Sequence, residues 1–234
     1  MGSNGRAATG SAATARPSLW LVAALLVAQQ VVLTLVHYAA APALGLVPGS
    51  APAISLTIIG GAIVIGLAVA ADLHRPGRGP AVLLRWPRRG RVTVVVIVLA
   101  MVIAQLPLLY LAATGRTVWQ SGGDADVMVG EALRGPSGAL WLVIATVFIA
   151  PVIEEVLYRG YLVGSLIDRL PAVVTVLVSA VLFVTLHAEA SNLVAAFCLG
   201  IATAICAVLT RSIVPGLIVH VAGNAFGMWY ASLV

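Results

Sequence analysis

Seven long apolar runs constrain this chain more than any other feature. They cover approximately residues 19–46, 51–71, 92–114, 139–167, 171–188, 192–210 and 212–233. Crossing about 30 Å of hydrocarbon takes roughly 20 helical residues, and most of the runs reach that length. They do not alternate between apolar and polar positions in segments of about ten residues, as the strands of an outer-membrane barrel would. The pattern predicts an all-α, polytopic membrane helix bundle with about seven transmembrane helices. Composition agrees: 61% of the residues are hydrophobic and only 9% are charged. A soluble domain carries about a quarter of its residues as charges. Soluble enzymes, disordered chains and disulfide scaffolds are therefore excluded. The net charge of +5 does not indicate a nucleic-acid partner, because the arginines are sorted by membrane side rather than gathered on one face.

Every basic residue is an arginine. Arg6, Arg16, Arg75, Arg78, Arg85, Arg88, Arg89, Arg91, Arg169 and Arg211 fall on one side of a seven-span arrangement, and Arg116 and Arg134 on the other. The positive-inside rule then puts the N-terminus in the cytoplasm. Residues 1–18 read as a flexible cytoplasmic tail, 19–114 as three N-terminal spans and 139–233 as a C-terminal helix bundle. The first span is longer than the apolar core of a cleavable signal. The linker from Asp72 to Arg91, rich in Pro and Arg, reads as a headgroup-binding connection, and the stretch from Thr117 to Ser137 as a plain connector. Cys198 and Cys206 are eight residues apart on one helix, about 12 Å along its axis, too far to bridge within the chain.

An ionisable group inside the bilayer costs at least about 2.5 kcal/mol and is a functional candidate by default. Span four carries Glu154, Glu155 and Arg159. Glu155 and Arg159 are four apart with the acid first, the favourable order for an ion pair on one helix face. Glu154 points about 100° away and needs a different use. Phe183 and His187 in span five are also four apart, as are His220 and Asn224 in span seven. At 1.5 Å per residue, Glu154 and His187 lie about 22 and 24 Å from the cytoplasmic ends of their spans, and His220 only about 13 Å. Tilt or an unwound start to span seven would have to close that gap. Gly160 and Gly164, and Gly223 and Gly227, are small-xxx-small pairs that let helices approach.

A carboxylate, two imidazoles and a carboxamide in a dry cavity can activate water and stabilise an oxyanion. The same atoms suit zinc, with Glu154, His187 and His220 as ligands. Metal-free and zinc mechanisms are equally compatible with the residues. Glu154-Glu155-x-x-x-Arg159, Phe183-x-x-x-His187 and His220-x-x-x-Asn224 occur in that order on three late spans, and the region 139–233 thereby resembles the CPBP family of CAAX prenyl endopeptidases and bacteriocin-processing proteins, also called Abi. The resemblance implies an intramembrane endopeptidase, variously labelled a metalloprotease or a glutamate protease. In it Glu154 is the catalytic base, His187 positions water, His220 and Asn224 form the oxyanion site, and Glu155 and Arg159 are architectural. The implied partners are the lipid bilayer and a membrane-associated peptide or protein substrate. The Ala- and Val-rich composition, with arginine its sole basic residue, points to a bacterial cell membrane. A proton-coupled transporter and a non-catalytic membrane scaffold are the competing readings, because proton relays also use Glu, His and Arg within spans.

Overall fold

The computed structural model describes residues 16–87, 90–114, 139–185, 187 and 193–233. Most of the N-terminal tail, Arg88, Arg89 and the connector Thr117–Ser137 lie outside the described residues. All regular structure among the described residues is helical, in seven main helices: α1 (Leu19–Ala43), α2 (Ala51–Leu73), α3 (Gly90–Thr114), α4 (Leu140–Leu166), α5 (Ala172–Val184), α6 (Leu193–Thr210) and α7 (Val214–Leu233). Helices satisfy their backbone amides internally, which a chain in hydrocarbon must do. Five of them, α1, α2, α3, α4 and α6, are long and apolar enough to cross a membrane. The chain is an integral membrane protein.

Local chemistry sets the boundaries. The Ser18 hydroxyl accepts from the Leu21 amide at the start of α1, and the Ser50 hydroxyl accepts from the Ala53 amide at the start of α2; each satisfies one of the donors that a helix leaves open at its N-terminus. Pro171 precedes α5, and α5 corrects the sequence expectation. It has 13 residues rather than the 18 of the apolar run and ends at Val184, too short for a full crossing. His187 consequently stands on the turn beyond the helix, its amide donating to the Val184 carbonyl.

One apolar cluster joins both halves of the chain. It includes Val22 and Leu25 of α1, Ile65 and Val69 of α2, Leu157, Tyr158 and Tyr161 of α4, Phe183 of α5 and Ala196 of α6. α6 packs on α3, α5 and α7 through small buried residues on more than one face, among them Ala196, Gly200, Ala202 and Ala204. A Cβ at Gly200 would lie 3.1 Å from the Ala180 Cα of α5, so glycine sets that close approach.

The linker between α2 and α3 also departs from the expected surface connection. Its Arg78–Ala81 turn and the residues after it are drawn into the protein: Arg78 is 5%, Val82 0% and Leu83 3% exposed. The backbone of Ala81 and Val82 lies on α4 at Gly164 and Gly160, where added Cβ atoms would come within 2.8 Å of the Ala81 oxygen and 2.9 Å of the Val82 oxygen. This glycine pair therefore receives a loop rather than another helix. The other pair makes no comparable contact, because a Cβ at Gly227 would meet nothing within 4 Å. Leu83 and Arg211 both adopt left-handed backbone conformations, with φ of 59° and 54°, which non-glycine residues hold only when their surroundings fix them. Here the surroundings are mutual. The Ile213 amide donates to the Leu83 carbonyl, Arg85 Nε donates to the Arg211 carbonyl, and the Ser212 hydroxyl donates to the Arg85 carbonyl. Ser212 and Ile213 are buried, so the start of α7 is packed against this linker.

Candidate active site

α4 carries the acidic pair, and its backbone is unusual there. The helix widens into π-helical turns at Ile144–Ile149 and again at Glu155–Val163, on either side of Glu154. Such turns shift side-chain directions relative to a regular α-helix and recur at functional sites. Glu155 and Arg159 are fully buried, with Arg159 Nη1 3.4 Å from Glu155 Oε1. The guanidinium is held by more than this one acid. Its Nη2 donates to the Gly200 carbonyl at 3.1 Å, and its central carbon stands 4.4 Å from the centroid of the Phe183 ring, a distance suited to cation–π attraction. α7 can approach this group because position 216 is glycine: a Cβ there would lie 2.7 Å from Glu155 Oε2.

His220 of α7 is buried and stands between the two acids. Its Nδ1 is 3.0 Å from Glu155 Oε1 and its Nε2 is 3.5 Å from Glu154 Oε2. With Nδ1–H donating to Glu155, the lone pair of a neutral ring would face Glu154. At 3.5 Å the Glu154 carboxylate stands beside Nε2. Glu154 retains 14% side-chain exposure while Glu155 has none. Of the two carboxylates, Glu154 is the one within reach of a reactant.

The other residues singled out in the sequence are placed unevenly. His187 is part-buried with Nδ1 3.3 Å from the Phe183 carbonyl, an arrangement in which Nδ1–H donates. Its ring and that of His220 both contact Phe183, at centroid distances of 4.9 and 5.7 Å. Asn224 Nδ2 donates to the Thr146 carbonyl in a widened turn of α4 at 2.8 Å, so its amide is tied to α4 and not to His220. Glu154 and His220 meet directly, whereas His187 connects to them through Phe183. Among the described residues no group of three His, Cys, Asp or Glu side chains converges to hold a metal. The zinc set Glu154, His187 and His220 thus does not form a cage in this arrangement. Cys198 and Cys206 are both free.

Two polar features escaped the sequence reading. Asp72, at the end of α2, is 6% exposed and accepts from Tyr161 Oη of α4 at 2.9 Å, while Arg78 Nε lies 2.8 Å from its carboxylate. This cluster fixes the inserted linker to α4. Gln29 of α1 is 5% exposed and shares a small cavity with Glu154. Adjacent carboxamides at Gln29 and Gln30, inside an otherwise apolar run, were the available signal.

The fold and site define a polytopic helical membrane protein with a buried Glu–His–Glu–Arg chain built across α4 and α7. Residues 136–226 match the family model described as type II CAAX prenyl endopeptidase Rce1-like, in agreement with the resemblance carried by the three motifs. The matched segment contains Glu154, Glu155, Arg159, His187, His220 and Asn224, and it leaves α1, α2 and α3 outside. At the level of the family, the chain is similar to intramembrane CAAX endopeptidases. No curated protein and no solved structure matches it.

Proposed function

We propose that this protein is an intramembrane endopeptidase that hydrolyses a peptide bond of a membrane-associated peptide or protein, with Glu154 as general base. The observation that carries this reading is the position of His220 between Glu154 Oε2 and Glu155 Oε1, at 3.5 and 3.0 Å. Glu155, paired with Arg159, orients the imidazole, and the imidazole in turn positions Glu154. A base whose orientation is fixed by a third group follows the same logic as other catalytic triads.

In the reaction, the oxygen of a water attacks the carbonyl carbon as one of its protons passes to Glu154. That proton is then delivered to the amide nitrogen as the C–N bond breaks, leaving a carboxylic acid, which passes its own proton on to the amine as the two products ionise. His220 buffers the charge on Glu154 during the exchange. His187, across the Phe183 ring from His220, assists the developing oxyanion. Asn224 flanks the site from α7. No step is routed through zinc, because the donors do not gather around one point. Activity of the purified protein is accordingly expected to survive metal chelators, with metal content measured on the same sample. The arginine asymmetry supports a cytoplasmic N-terminus, and the composition supports a bacterial membrane peptide or protein as substrate.

Glu154→Gln tests the reading. It keeps the shape of the side chain and removes the base, so the variant is expected to insert and fold normally. Its cleavage of an internally quenched membrane-peptide library, including a farnesylated CAAX peptide, should fall by about 10²–10⁴-fold. Cleavage at the wild-type rate would sink the assignment. Proton-coupled solute uptake into proteoliposomes without hydrolysis would favour the transporter reading instead.

A further inference from the structure

Beside Glu154, on the side facing α1 and α2, lies a cavity of about 50 Å³. Its lining is apolar or small, including Leu33, Ile58, Ala62 and Ile153, apart from Gln29 and Glu154. Gln29 is 5% exposed, and its Oε1 is buried without a hydrogen-bond partner among the described residues. A buried amide oxygen left unpaired is costly, and native proteins rarely leave one so. The cavity is partly open to its surroundings rather than sealed. It is large enough for water, which needs roughly 10–15 Å³ of accessible volume and two or more polar partners. Gln29 and Glu154, the proposed base, both line it.

We infer that Gln29 and Glu154 together hold the lytic water, which donates one O–H to Gln29 Oε1 and the other to the Glu154 carboxylate. The inference rests on the reading of Glu154 as general base and adds α1 to the site, although α1 lies outside the family match. Two acceptors fix both protons of the water and leave the oxygen lone pairs free to point at the scissile carbonyl. When the O–C bond forms, the proton shared with Glu154 leaves the water. The Gln29 hydrogen bond persists to the tetrahedral intermediate, so Gln29 gains and loses no proton. The glutamine is thus a water-binding residue whose effect falls on the chemical step.

The test uses the full-length protein in detergent and the same quenched peptide library. Gln29→Met removes the acceptor while keeping length and packing, and Ala62→Val fills the cavity without touching either polar group. Both variants are expected to lower kcat by about tenfold or more with KM unchanged. Undiminished kcat in both, or a loss confined to KM, overturns the proposal. Thermal unfolding gives an answer independent of any substrate. If Gln29 Oε1 faces a dry void, Gln29→Met removes an unpaired polar atom and raises Tm, which also overturns the proposal. A lowered Tm supports it, because the bound water then loses a partner. Persistent cleavage by Glu154→Gln would instead sink the base assignment itself. An inactive Glu154→Gln beside a fully active Gln29→Met would sink only the role of Gln29.

Discussion

Glu155 and Arg159 show how much of a membrane enzyme's stability can hang on two side chains. Both are fully buried, and removing one partner leaves an uncompensated charge in a low-dielectric interior. Glu155→Ala is expected to destabilise the fold by about 3–5 kcal/mol. The measurement is accumulation in the membrane together with Tm in detergent, and normal values for both would refute the argument. The adjacent Glu154 behaves differently: it is partly exposed and stands 3.5 Å from the histidine, so its loss should remove activity and spare the fold. Spacing alone anticipated the Glu155–Arg159 contact, because four residues on a helix place side chains on one face. The interaction of His220 with both glutamates was not legible in that way. It joins α4 to α7 across 65 positions of sequence, and no local periodicity encodes such a pairing.

At the scale of elements, apolar runs located all seven helices, since length and hydropathy are local properties. Their fine structure was not local. The run at 171–188 suggested a long fifth span, yet the helix stops at Val184 and leaves His187 on a turn. Nothing in a uniformly apolar string announces that ending. The glycines of α4 carried a generic packing signal, and their actual partner, the backbone of Ala81 and Val82, could be identified only from the fold. Gly160→Ala and Gly164→Ala each bring a methyl group against backbone rather than against a yielding side-chain tip. Overpacking of this kind costs typically about 1–3 kcal/mol. Both variants are expected to lose stability in that range and so to lower Tm by about 2–12 °C, whereas Gly227→Ala, which meets open space, should leave Tm within a degree or two. Equal effects at the three positions would contradict the seating of the linker on α4.

Across the whole molecule, the segment that matches the family and the helices before it share one core. Val22, Leu25, Ile65 and Val69 pack with Leu157, Tyr158 and Phe183, and Asp72 binds both Tyr161 and Arg78. A chain shortened to residues 139–234 would expose that apolar surface and strand the Tyr161 hydroxyl. Expressed alone, it is expected to fail to accumulate as a monodisperse species on size-exclusion chromatography in detergent. Supplying residues 1–114 as a separate chain should restore some of it; robust folding of the C-terminal piece alone would show the core to be divisible.

The seating of Ala81 and Val82 against α4 also bears on how a protein of this kind can be handled and how it can change. A hydropathy plot draws residues 78–85 as free cord between two spans, the natural place to splice a topology reporter or an epitope. In the folded molecule that cord is a wedge cut to length, pinned by Asp72 at one end and by Ser212 and Ile213 at the other. Adding or deleting even one residue there would misalign the wedge with both glycine notches, and through the start of α7 it would displace His220. Side chains along the segment are free to drift wherever they face outward, but its length is not.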